Sequence, residues 1–166
     1  MRNFVERYFR HFNAGELRRC SISLCEFVDN GGRLMITLAG AMSTAEIGRS
    51  LAPAIREGKV HAICCTGANL EEDLFNLIAA SYYGDIPNWR DLSPAEESQL
   101  KNRITNRTLP EEKAIRKVEF QLVSLWKESI GKLPHEFLYD LVKIAEADAD
   151  PADSWLLAAA EQHLPL

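Results

Sequence analysis

Two short apolar runs set the limits on what this chain can fold into. RLMITL (residues 33–38) and VHAICC (residues 60–65) each empty into a loop of small residues, and each loop leads into a helical stretch. Runs of that length suit buried strands, because a helix needs ten or more residues to build a face. Strand, helix, strand, helix with short loops predicts an α/β fold, a parallel sheet flanked by helices with right-handed crossovers.

The remaining periodicities predict helices. Phe4, Tyr8, Phe9 and Phe12 are spaced for an amphipathic helix or docking arm over 2–12, and Leu17, Ile22, Leu24 and Phe27 for a second over 16–28. Asn30-Gly31-Gly32, which tolerate positive φ, end it. Ser43 or Thr44 is expected to cap a third helix with Ile47, Leu51, Ala54 and Ile55 on one face, and Pro53 to bend or divide it near Ser50. A fourth runs from Leu70 to about Tyr83. Residues 84–150 read as a helical insertion. It begins as a proline-rich connector to Pro110 with a capped short helix at DLSPAEE. The clearest stripe in the chain follows over 111–130, carried by Ile115, Val118, Leu122, Leu125, Trp126 and Ile130. Pro134 opens a helix to Ala147, and Asp153 is the expected cap of another over 154–163. Leu164-Pro165-Leu166 is expected to stand at the threshold of a further strand.

Composition narrows the function classes. With 166 residues, 46% of them hydrophobic, the chain is one domain that can bury a core without disulfides or a structural metal. No apolar run approaches the ~20 residues that span a bilayer. The N-terminus, MRNFVERYFRHF, lacks the layout of a secretory signal, so the expected location is cytoplasmic. The net charge is −5, with Lys and Arg scattered among acids, which argues against nucleic acid. Cys20, Cys25, Cys64 and Cys65 show no C-x-x-C spacing, and Cys64 and Cys65 read as small core residues. His11, His61, His135 and His163 have no ligand spacing, so no metal site is expected and each histidine reads as structural.

Chemistry is expected where the two strands deliver their C-terminal ends, because exit loops and helix N-termini converge there. LAGAMST leaves the first strand and TGANLEEDLF the second. Gly40 and Gly67 permit close backbone approach, and the hydroxyls of Ser43, Thr44 and Thr66 can bond phosphate or ribose oxygens. Neither loop is a G-x-G-x-x-G fingerprint. Glu71-Glu72-Asp73 sit in the opening turns of a helix. The helix dipole explains acids there by itself; at the mouth of a sheet they could also hold a substrate ammonium.

Taken together, GGRLMITLAGAMSTAEIG, GKVHAICCTGANLEEDLF, PHEFLYDLV and DSWLLAAAEQHLPL resemble the N-terminal half of the deoxyhypusine synthase family, in its bacterial deoxyhypusine synthase-like branch. The resemblance implies an incomplete Rossmann-like NAD-binding domain spanning 1–166 and a homotetramer with sites at subunit interfaces. It further implies transfer of the butylamine group of spermidine to an acceptor amine, a protein lysine or a small amine, with NAD taking and returning a hydride. By motif, Gly40, Ala41, Met42, Ser43 and Thr44 match the first NAD loop, Thr66, Gly67 and Ala68 the second, and Glu71 and Glu72 the acidic pair associated with polyamine and cofactor. The first loop reads LAGAM where hypusine-forming members carry a serine-asparagine type of sequence, which reduces its contacts to backbone ones. No lysine here matches the family's nucleophile, so no catalytic residue is expected in this segment. The alternative reading is a non-catalytic assembly module of such an oligomer.

Overall fold

The computed structural model describes residues 2–166. Helices α1 (Arg2–Tyr8) and α2 (Phe12–Asp29) open it, α2 starting four residues earlier than the periodicity predicts. Its end is set as the sequence predicts. Gly31 takes φ +86, and the N–H of Gly32 reaches back to the Phe27 carbonyl at 2.8 Å. Strand β1 (Met35–Leu38), helix α3 (Gly48–Arg56), strand β2 (Ala62–Cys65) and helix α4 (Gly67–Ala79) then supply the expected alternation. The strands pair in parallel, with Ile36 opposite Ile63 and Leu38 opposite Cys65, so both end at the same rim.

Four local expectations are corrected. The strands are not buried on both faces. Leu38 and Ile63 point into the core while Met35, Thr37 and Cys64 are exposed, so the pair alternates as a sheet with one covered face does. Cys64 is therefore not a core residue, and only Cys65 packs against the core. Ser43 and Thr44 do not cap α3, which begins at Gly48, because residues 43–47 form turns held by distant side chains. Pro53 lies inside α3 without dividing it. The bond it cannot make is to the Arg49 carbonyl on the solvent-facing side, since Arg49 and Pro53 are both exposed.

Beyond α4 the connector is more ordered than a loop. Strand β3 (Gly84–Asp85), helix α5 (Pro94–Gln99), strand β4 (Arg103–Ile104) and strand β5 (Arg107–Thr108) follow, the strands forming an antiparallel ribbon in the order β3-β5-β4. The opening of the expected helical insertion is thus partly strand. The cap expected within DLSPAEE is Ser93, accepting from the N–H of Glu96 while the Glu96 carboxylate accepts from the N–H of Ser93. The stripe over 111–130 becomes a π-helical turn (Glu111–Ile115), helix α6 (Arg116–Leu125) and a 3-10 turn (Trp126–Ser129). Its first part packs inward through Ala114 and Val118, whereas Trp126 and Ile130 are exposed.

Helix α7 (Pro134–Ile144) opens on its proline as expected. Helix α8 (Trp155–Glu161) is capped by Ser154 and not by Asp153, the Ser154 oxygen accepting from the Leu157 N–H at 3.1 Å. The core lies between the covered face of the sheet and α3, α4, α7 and α8, with Trp155, Ile55, Leu74, Leu141 and Leu156 fully buried. The Ile63 N–H donates to the Pro165 carbonyl at 3.0 Å, which lays the final residues along the edge of β2 away from β1.

Candidate functional site

Parallel pairing brings the exits of β1 and β2 together, and a side chain that the sequence reading gave no role joins them. Asn69, in the first turn of α4, is fully buried. Its amide nitrogen donates to the Gly40 carbonyl and to Thr66 Oγ1, both at 2.9 Å. Its amide oxygen accepts from the Ser43 N–H at 3.2 Å and from Ser43 Oγ at 3.3 Å. All four bonding positions of one carboxamide are used across the two loops. No periodicity marks such a residue. Only its place in the turn that follows a strand exit hinted at it.

The first loop divides in two. Gly40 is exposed at φ +64, with open space where a Cβ would stand, and Met42 is 39% exposed beside half-buried Ala41. Ser43 and Thr44 are instead buried. The Ser43 hydroxyl accepts from Trp155 Nε1 at 2.9 Å, and its carbonyl accepts from the side chain of Asn76. The Thr44 N–H donates to Glu72 Oε2 at 3.2 Å, its carbonyl accepts from Arg107 Nη1 at 3.1 Å, and its hydroxyl has no partner among the described residues. Of the three hydroxyls expected to face a ligand, that of Ser43 is turned inward onto protein partners, that of Thr44 is buried without one among the described residues, and Thr66 stays at the exposed rim.

On the second loop Thr66, Gly67 and Ala68 are exposed, and a Cβ on Gly67 would meet no atom within 4 Å. The N–H groups of Gly67 and Ala68 open α4, where no intrahelical acceptor exists. The acidic triplet points three ways. Glu71 is exposed, and partial burial together with neighbouring Glu72 pushes its carboxyl up. Glu72, 6% exposed, holds the Thr44 amide. Asp73 is turned under the helix, where Oδ2 accepts from Ser154 Oγ at 2.6 Å and from the Leu156 N–H at 3.0 Å, closing the start of α8. Burial outweighs those bonds and pushes the Asp73 carboxyl up to about 6. The result is a ledge of small residues and open backbone, underpinned by buried amides and acids, with one exposed carboxylate at its side.

The whole of this arrangement falls inside a known family pattern. The sequence matches the family described as Deoxyhypusine synthase over residues 4–166. The chain belongs to the deoxyhypusine synthase family. Among curated relatives of this family member, it is similar to deoxyhypusine synthase-like proteins of Cyanothece sp. (31% identical over 101 residues, 60% of this chain and 25% of that relative) and Nostoc sp. (32% over 101 residues, 60% and 26%). A third, from Thermosynechococcus vestitus, is 30% identical over 99 residues, covering 58% of this chain and 25% of the relative. The matched stretch thus spans about a quarter of the length of these deoxyhypusine synthase-like proteins. No helix among the described residues is long and apolar enough to cross a membrane.

Proposed function

We propose that this chain supplies the cofactor ledge of a Rossmann-like, NAD-dependent aminobutyltransferase, which moves the butylamine group of spermidine to an acceptor amine. The acceptor is a protein lysine or a small amine, and the working form is a cytoplasmic homotetramer. One observation carries the reading: Asn69 binds Gly40 and Thr66 at once, so the two small-residue exits form a single surface.

The residues present suit a dinucleotide. Gly40, Ala41, Met42, Thr66, Gly67 and Ala68 leave backbone accessible on one rim, with open space beyond Gly40 and Gly67. A helix N-terminus with unpaired N–H groups favours the negative charge of a pyrophosphate. When bound, NAD supplies reversible hydride acceptance. Ser43, Thr44 and Glu72 serve that rim from behind, fixing its shape through buried bonds. Glu71 is the group free to take a substrate ammonium, and its raised carboxyl is drawn back toward ionisation by a cation beside it. None of the lysines matches the family nucleophile, so that lysine and the closing wall of the pocket come from outside these 166 residues.

The assembly reading draws on α2, in which Gly15 is the one buried residue while Leu17, Ile22, Leu24 and Phe27 stand exposed. Both roles can belong to one oligomer.

Calorimetry of the protein carrying this chain, with NAD and then spermidine, tests the proposal, followed by release of diaminopropane from labelled spermidine. Asn69→Leu is expected to weaken NAD binding at least tenfold, since losing a clasp worth about 1–3 kcal/mol per buried group lets the two loops separate. Absence of NAD binding by the unmodified protein overturns the enzymatic reading and leaves the assembly module.

A further inference from the structure

The turn behind the ledge is held from a second direction, by the antiparallel ribbon. Arg107 on β5 is 18% exposed, and its Nη1 lies 3.1 Å from both the Thr44 carbonyl and Glu46 Oε1. Its Nε is 3.6 Å from Asp85 Oδ1, and its guanidinium stacks 4.5 Å over the ring of Tyr83. Thr44 is therefore gripped on both sides of its backbone, the N–H by Glu72 of α4 and the carbonyl by Arg107.

Two residues on, Glu46 takes φ +60, a left-handed conformation that a side chain resists. Its carboxylate is held there by Arg107 and, on the exposed side, by Arg49 at 3.0 Å. This strained turn is wired to the ledge itself. The Ala45 N–H donates to the Ala41 carbonyl and the Ile47 N–H to the Met42 carbonyl, each at 3.1 Å. A turn that relaxed would carry Ala41 and Met42 with it.

We propose that Arg107 is a positioning residue: by pinning the Thr44 carbonyl and left-handed Glu46 it keeps the turn 43–47 closed and the Gly40–Met42 arch in its binding shape. The antiparallel ribbon thereby acts as a brace for the ledge. The inference rests on the reading of the ledge as a dinucleotide site, and it adds a residue that touches neither cofactor nor substrate. A lysine at 107 could reach one of the two acceptors but has neither the fork nor the planar face for the Tyr83 stack, so it is a graded variant.

Hydrogen exchange and NAD titration of the unmodified protein, Arg107→Ala, Arg107→Lys and the double variant Arg107→Ala/Glu46→Gly test it. In Arg107→Ala the amides of Ala45, Glu46 and Ile47 are expected to exchange at least tenfold faster while those of α8 keep their protection. NAD affinity should fall about tenfold, the loss expected when the competent population drops to about a tenth. Arg107→Lys should fall between. Glu46→Gly in the Arg107→Ala background removes the left-handed strain without restoring any charge pair, and it should recover most of the protection and affinity, which repair of general stability would not do. Unchanged exchange at 45–47, or no recovery with Glu46→Gly, overturns the brace even if NAD binds the unmodified protein. Faster exchange in Arg107→Ala, recovered by Glu46→Gly, in a protein that binds no NAD overturns the dinucleotide reading and leaves the brace standing.

Discussion

Helix α2 is 18 residues long and buries Gly15 alone, whereas α8 is seven residues long and buries five of them, Trp155 among them. Both are helices, and α2 has the longer apolar record in the sequence. What separates them is the surface opposite. Helix α8 packs on α3 and α7, and its opening is closed by Asp73 of α4. Among the described residues nothing comparable faces the apolar side of α2. The weight of an element in the fold is set by what it is pressed against, because burial, and not periodicity, removes apolar area from water.

The contrast is sharpest at Trp155. Trp155→Ala should lower stability by about 3–5 kcal/mol in urea denaturation, the range for truncating a fully buried large side chain, and it strips Ser43 Oγ of its donor as well. A loss near 1 kcal/mol would erase the distinction between the two helices.

A smaller effect tests how dry the α4–α8 junction is. The Asp73 carboxyl titrates near 6 in the fold, above its ordinary 3.8, so between those values the native chain holds a proton that the unfolded chain has released. Stability contributed by this group is therefore full below about pH 4 and is lost as pH rises through about 6. Asp73→Asn keeps an acceptor for Ser154 and Leu156 and cannot ionise. Its stability relative to the parent should climb as pH rises from 4 to 7, by on the order of 2 kcal/mol, in paired denaturation curves. A difference that stays flat with pH would mean a solvated carboxylate.

The smallest effects belong to the other region. Ile22→Ser on α2 and Phe120→Ser on α6, at positions 42% and 74% exposed, should each change stability by less than about 0.5 kcal/mol in dilute protein. A larger loss that grows with protein concentration would show these faces covered in an assembly and would dissolve the contrast.

Much of the scaffold could be read from residues close together in the chain. The Gly31 turn after α2, a cap within DLSPAEE and the proline opening of α7 all follow expectation. The sites where reading failed share a cause. The position of Ser43 suits a cap or a ligand hydroxyl, but its fate is decided by Asn69, 26 residues away, and by Trp155, 112 away. Asp153 lost the cap of α8 to Ser154, which Asp73 orients from 81 residues back. Cys64 was expected inside and faces out, because the alternation of a strand says that its two sides differ and not which side a helix will cover.

By itself, then, the sequence determined that two strands alternate with helices and run parallel, that small residues leave them together, and where single turns and caps such as Gly31 and Pro134 fall, since these depend on backbone preferences and on side chains a turn or less apart. The tertiary structure alone decided which polar groups line the ledge and which support it. A buried hydroxyl, amide or carboxylate must find its partner wherever the packed chain supplies one, and that partner stands in no fixed relation to it along the sequence.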